Sequence, residues 1–238
     1  MIRNLMAVTR RETKAYFTMP SAYVVGAMFL ILTGVFFVFD IDQPFAEAGV
    51  RGLIDWASFF LIFLAPLLTM RLLAEEQKLG TLELLMTAPL KEYEIVLGKF
   101  IASLLTLIST LVPTLYLVIL LVMFGSPDLG PVLTGYLGLV LFGMATLSLG
   151  LFASSLSPNQ IVGAVLAMGI LIILSVIDLA SNYVGGIFVT VVDQVSITNH
   201  FEDFSRGIID THDVVYYLLF TSFLLFLTIR SLESRRWG

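Results

Sequence analysis

The chain has 238 residues, of which 58% are hydrophobic and only 13% charged; its mean hydropathy is +0.97 and its formal net charge −5. A soluble domain carries about 25% charged residues, so this composition excludes one and points to a single polytopic membrane bundle. The absence of cysteine excludes disulfides, thiolate metal sites, iron–sulfur clusters and cysteine nucleophiles.

Residues 2–17 come first. At helical spacing Ile2, Leu5, Met6, Thr9, Thr13, Tyr16 and Phe17 share one arc, and Arg3, Arg10, Arg11 and Lys14 fall elsewhere. This predicts an amphipathic helix in the membrane interface, its basic side toward lipid phosphates or a cytoplasmic partner. The alternative is a helical extension of the first span. "TMPSAY" argues against that, because Pro20 disfavours helix at Met19 and permits a turn.

Crossing a bilayer takes about 20 apolar residues. Six runs meet the requirement, at roughly 22–39, 53–70, 100–124, 131–153, 160–179 and 214–230. The fold class expected is therefore an all-α membrane protein with six transmembrane helices. "AEA" at 46–48 has the small-x-small look of a signal-peptide cleavage site, but the apolar run before it exceeds the usual h-region of about 7–15 residues, so 22–39 reads as a retained span. Pro131 suits the first turn of the fourth span, whereas Pro66 and Pro113 lie inside spans two and three and should kink them unless neighbours compensate.

Lysine and arginine set the orientation. With the N-terminus inside, Arg3, Arg10, Arg11, Lys14, Arg71, Lys78, Lys91, Lys99, Arg230, Arg235 and Arg236 are cytoplasmic, and only Arg51 and Arg206 lie outside. Both termini are then cytoplasmic.

Between spans two and three lies a charged loop, "LAEEQKLGTLELLMTAPLKEYEIVLGKF" (73–100). Leu79, Leu82, Leu85 and Met86 recur at helical spacing, with Glu75, Glu76, Lys78 and Glu83 around them. Gly80–Thr81 marks a break with Thr81 as a possible cap, and Lys91–Lys99 begins a second helical stretch that runs into span three. A short amphipathic helix held between two spans is suited to receive a push from a soluble partner; the plainer reading is a solvated connector. "VLGKF" fails as a P-loop, because Tyr93 and Phe100 occupy the positions of the first glycine and the hydroxyl, so Lys99 reads as an interface anchor.

The later spans are rich in small residues: Gly135, Gly138, Gly143, Gly150, Gly163, Ala167 and Gly169. Either intrachain packing or a subunit interface accounts for them. Segment 180–213 contains apolar stretches too short to cross, which fits either a partly inserted helical hairpin or a surface loop with short helices. "HFED" (200–203) and "DTHD" (210–213) amount to a weak metal site at most, and solvated acidic surface is the preferred reading. No G-x-S-x-G or H-E-x-x-H motif is present. No span carries a charge at its middle, which disfavours an ion-coupled carrier.

"EEQKLGTLELLMTAPLKEYEIVLGKF" strongly resembles the segment between the second and third spans of ABC-2 type exporter permeases, which carry an E-E-x-x-x-G-T-L-E-L-L pattern. The likeness continues in "RRETKAYFTMPSAYVV" (10–25), "GLFASSLSPNQIV" (150–162) and "FEDFSRGIIDTHDVVYYLLF…RSLESRRW" (201–237), and is nearest to permeases of the gliding-motility type. The resemblance implies a pair of six-span permeases, identical or related, in a prokaryotic plasma membrane. Each would dock a separate ATP-binding cassette subunit, with ATP and magnesium bound there and no cofactor on this chain. It implies that residues 75–88 form the coupling helix, with Glu75, Glu76, Gly80, Thr81, Glu83 and Leu84 in partner docking. It further implies that 2–17, with Arg10, Arg11, Lys14 and Tyr16, is the interfacial helix, and that 180–213 is an outer re-entrant hairpin. The competing functions are a passive channel or gradient-driven carrier, and a membrane scaffold that recruits a cytosolic partner.

Overall fold

The computed structural model describes residues 2–41, 50–81, 90–124, 128, 130–177 and 194–236. Among these the secondary structure is helical: α1 (Ile2–Thr18), α2 (Pro20–Ile41), α3 (Arg51–Thr69), α4 (Ala74–Lys78), α5 (Glu92–Leu111), α6 (Leu115–Phe124), α7 (Gly130–Leu156), α8 (Gln160–Val176), α9 (Asn199–Ser205) and α10 (Thr211–Arg236). Five stretches are long and apolar enough to cross a membrane: Pro20–Asp40, Arg51–Lys78, Glu92–Phe124, Gly130–Leu156 and Thr211–Ser234. α8 is apolar but shorter, at 17 residues.

Proline punctuation follows its chemistry. α1 and α2 break at Met19, immediately before Pro20. Pro131 occupies the first turn of α7, where its missing N–H has no intrahelical acceptor to lose. α3 runs through Pro66 and stops at Thr69, with the amide of Met70 donating to the Pro66 carbonyl (2.8 Å). Around Pro113 the chain tightens into a 3₁₀ turn, Val112–Thr114, that joins α5 to α6.

α3 and α7 form the centre. In their apolar windows 72% and 78% of residues are buried, against 22–28% in α2, α5–α6 and α10, which turn their remaining faces outward. Exposed Phe124 and Leu219 belong to these outward faces, and Leu133 near the start of α7 and Ile161 of α8 are exposed too, as expected where lipid is the solvent. Four glycines of α7 show how the centre closes. A Cβ at Gly135 would meet Ile54 of α3 at 2.8 Å, one at Gly138 would meet Phe204 of α9 at 2.6 Å, one at Gly143 would meet Leu107 of α5 at 2.9 Å, and one at Gly150 would meet Thr69 of α3 at 2.0 Å. These small residues therefore serve packing within the chain. Gly169 differs, with nothing within 4 Å of its Cβ position.

Hydroxyls within the bundle bond back to carbonyls of their own helices, as in Thr106 to Ala102, Thr146 to Phe142 and Thr228 to Leu224. Each such bond keeps a hydroxyl proton off the hydrocarbon, whereas the buried hydroxyls of Thr33 and Thr221 have no such partner. At one end of the bundle α9 packs on α7, with the Thr134 hydroxyl donating to the Phe204 carbonyl (2.9 Å). The other end gathers α1, α4, the start of α5 and the end of α7. The expected hairpin over 180–213 lies outside the described residues as far as Asp193, and Asp178 is likewise outside them; from 194 onward the segment contains α9.

Candidate functional site: the junction beneath the charged loop

α1 packs lengthwise on α5, and Val8 lies where Gly98 leaves room: a Cβ there would sit 2.7 Å from the Val8 side chain. The residues α1 buries are Val8, Glu12 and Tyr16, an i, i+4, i+8 stripe. The sequence arc is centred differently. Met6 and Phe17, expected with the apolar face, are exposed, and Arg10, Arg11 and Lys14 lie on the exposed side as expected. The helix has three faces, toward protein, lipid and water, whereas hydrophobic periodicity separates only two.

Glu12 is on the protein face because a cation waits there. Lys99, read from sequence as an interface anchor, is instead 1% exposed. Its ammonium donates to Glu12 Oε1 (3.2 Å) and lies 2.9 Å from Glu76 Oε1. The Arg11 guanidinium reaches the same two oxygens, at 3.1 Å from Glu12 and 2.8 Å from Glu76. Two cations and two carboxylates thus alternate in a closed ring that joins α1, α4 and α5. The formal charges cancel, and a buried charge without such a partner is not tolerated. Glu76 therefore points inward, and what it binds is the chain's own Arg11 and Lys99.

The rest of the segment entering the loop is held as firmly. Ser154 of α7 donates to the Met70 carbonyl (3.0 Å) and accepts from the amides of Leu73 (3.2 Å) and Ala74 (3.0 Å). Those are groups that the end of α3 and the start of α4 leave without intrahelical partners. The Gln77 side-chain amide donates to the Ser155 carbonyl (3.0 Å). Arg71 spans from Glu75 (3.1 Å) to the hydroxyl of Ser21 on α2 (2.7 Å). The Tyr16 hydroxyl donates to the Leu68 carbonyl (2.7 Å) near the end of α3. Burial, and next the nearby Glu12 carboxylate, raise the Tyr16 phenol well above its ordinary pKa, so it stays a donor.

Beyond α4 the chain turns at Gly80, whose φ of +69° is the left-handed conformation that suits glycine at a helix C-terminus. Leu79 is 66% exposed beside it. Thr81, expected as a cap of the following helix, directs its hydroxyl back to the Glu76 carbonyl (3.4 Å). Glu83 and Leu84, with Leu82, Leu85 and Met86, lie outside the described residues. α5 then starts at Glu92, close to the expected second stretch, with Glu94 accepting from the Lys91 amide (3.1 Å) and from Asn4 of α1 (3.4 Å). A cavity of about 410 Å³ opens between α1, α2 and the end of α3, lined among others by Tyr16, Ala22, Leu68, Arg71, Glu75 and Lys99.

The structure thus brings together Arg11, Tyr16, Glu75 and Glu76 and leaves Arg10 and Lys14 on the outer face of α1. Sequence reasoning missed Glu12, Lys99 and Ser154 as members of the junction. None carried a signal within its own segment: Glu12 falls outside the apolar arc of residues 2–17, and Lys99 stands at the start of an apolar run, where an interface anchor is expected.

Together these contacts tie the base of the charged loop to α1, α5 and α7. No curated protein matches the chain. The family model described as ABC-2 type transporter matches residues 3–193, most of the chain and the whole of this junction. The chain belongs to the ABC-2 type transporter family and is a multi-pass membrane component of an ABC transporter.

Proposed function

We propose that the protein is the permease subunit of an ATP-driven ABC-2 exporter and works as a pair of permease chains, identical or related. The pair is moved by separate ATP-binding subunits that hold ATP and magnesium. The chain crosses a prokaryotic plasma membrane six times with both termini in the cytoplasm, and α8 is the fifth crossing. At 17 residues α8 is at the short end of what spans hydrocarbon, which takes about 17–25. The eleven-to-two partition of lysine and arginine supports the orientation. The segment 75–88, which begins with α4 and turns at Gly80, takes the coupling role, and 180–213 belongs to the far side.

The observation that carries this reading is the four-charge ring with the Ser154 clamp. A coupling element transmits displacement only if its root is stiff, and this root is tied to four helices. Glu76 acts here as a positioning residue inside the chain. Docking contacts fall to Glu75, the exposed Leu79–Thr81 turn, and Glu83 and Leu84 beyond it. ATP closes the partner subunits, the coupling helices follow, and the spans rearrange because nucleotide favours one conformation of the assembly over the other.

The test is co-purification in mild detergent with the candidate ATPase. Glu83→Lys should abolish recovery of the nucleotide-binding subunit while the permease stays monodisperse. Glu76→Lys with Glu83→Lys should also abolish ATPase stimulation; unchanged recovery and stimulation in that double variant would refute the docking assignment. Transport by the purified chain alone in liposomes, without ATP, would favour the channel or carrier reading instead.

A further inference from the structure

We propose that His200, His212 and Asp213, at the end of the bundle remote from the charged loop, form a binding site for a divalent transition cation of the zinc class. One ligand atom from each lies within 4.8 Å of the other two. His200 Nδ1 is 2.6 Å from Asp213 Oδ1, and His212 Nδ1 is 3.7 Å from the same oxygen. Zinc takes histidine nitrogen and carboxylate oxygen at about 2.0–2.2 Å, so tetrahedral ligand atoms stand about 3.3 Å apart. The histidine–carboxylate separations fall on either side of that value, and shifts of well under an ångström bring them to it.

The surroundings are those of a built site. His200 and Asp213 are buried, and the His200 ring is stacked on Tyr216 at 3.9 Å, which fixes its plane. His212 is exposed and gives the ion its entry path; its backbone amide is held by Asp210 (2.8 Å). His200 Nε2 faces the Gln194 carbonyl at 3.4 Å. An ion between Nδ1 and the carboxylate leaves Nε2–H for that carbonyl, the outer partner that metal-bound histidines use. Asp203 and Asp210 add negative charge beside Asp213, and no lysine or arginine among the described residues pairs with these three carboxylates. Two imidazoles select against calcium and magnesium, which take oxygen. The bound ion would staple α9 to the first turn of α10, adding to the bond from the Tyr217 hydroxyl to the Ile197 carbonyl (2.8 Å).

The full chain, purified in detergent and stripped with chelator, is titrated with Co²⁺ and followed by its visible d–d absorption. One Co²⁺ per chain is expected, displaced by Zn²⁺ and unaffected by excess Ca²⁺. His212→Ala, a change at an exposed side chain, should weaken Co²⁺ binding about tenfold or more, whereas Asp203→Asn should change it by about twofold at most. Absence of a Co²⁺ spectrum overturns the proposal, as does equal binding by His212→Ala or a larger effect from Asp203→Asn. No transport is measured, so failure here leaves the exporter reading untouched.

Discussion

Replacing Lys99 with methionine removes the buried cation from the ring and keeps most of the side-chain volume. Two carboxylates, 11% and 13% exposed, are then left facing Arg11, which is 58% exposed and lies at the water edge. The ring passes from neutral to a net charge of −1. Breaking a buried ion pair by removing one partner costs about 3–5 kcal/mol. At roughly 2–4 °C per kcal/mol for a chain of this size, the melting temperature in detergent should fall by roughly 6–20 °C. Arg11→Ala removes the exposed cation and should cost about 1 kcal/mol or less. The triple variant Glu12→Gln, Glu76→Gln, Lys99→Met removes every buried charge of the ring and should recover much of the loss. Thermal melts of the four proteins in one detergent test this. If Lys99→Met melts no lower than Arg11→Ala, or the triple variant melts lower than Lys99→Met, the ring does not hold the junction as described.

Ser154→Ala leaves three backbone groups at the α3–α4 connection without their partner and should cost about 1–3 kcal/mol, read by thermal melt; Ser148→Ala, whose hydroxyl bonds only to Ala145 of its own helix, should cost less. Tyr16→Phe orphans the Leu68 carbonyl at a similar cost near neutral pH. The unfolded phenol ionises near 10.0 while the folded one stays protonated, so stability of the parent protein should be lost as pH rises above that value, and a pH series of melts should show a shallower decline for Tyr16→Phe. Gly138→Ala drives a methyl against Phe204 and should destabilise by about 1–3 kcal/mol, whereas Gly169→Ala, with open space around it, should be neutral or stabilising by up to about 1 kcal/mol.

Much of this protein is legible in one dimension because lipid imposes a simple rule: a crossing segment is long, apolar and helical. Composition alone therefore identifies the class, and the apolar runs locate the helices. The break at Met19, Pro131 in the first turn of α7, the turn at Gly80 and the start of α5 at Glu92 follow from backbone chemistry local to those residues. Tertiary structure decided which charge meets which. Glu12, Glu76 and Lys99 are 64 and 23 residues apart along the chain, and each alone looks like a solvated or interfacial charge. Only the docking of α1 on α5, and of the α4 turn on the end of α7, encloses them. A buried ion pair is a property of two segments brought together, so hydrophobic period, which describes one segment at a time, carries no trace of the partner.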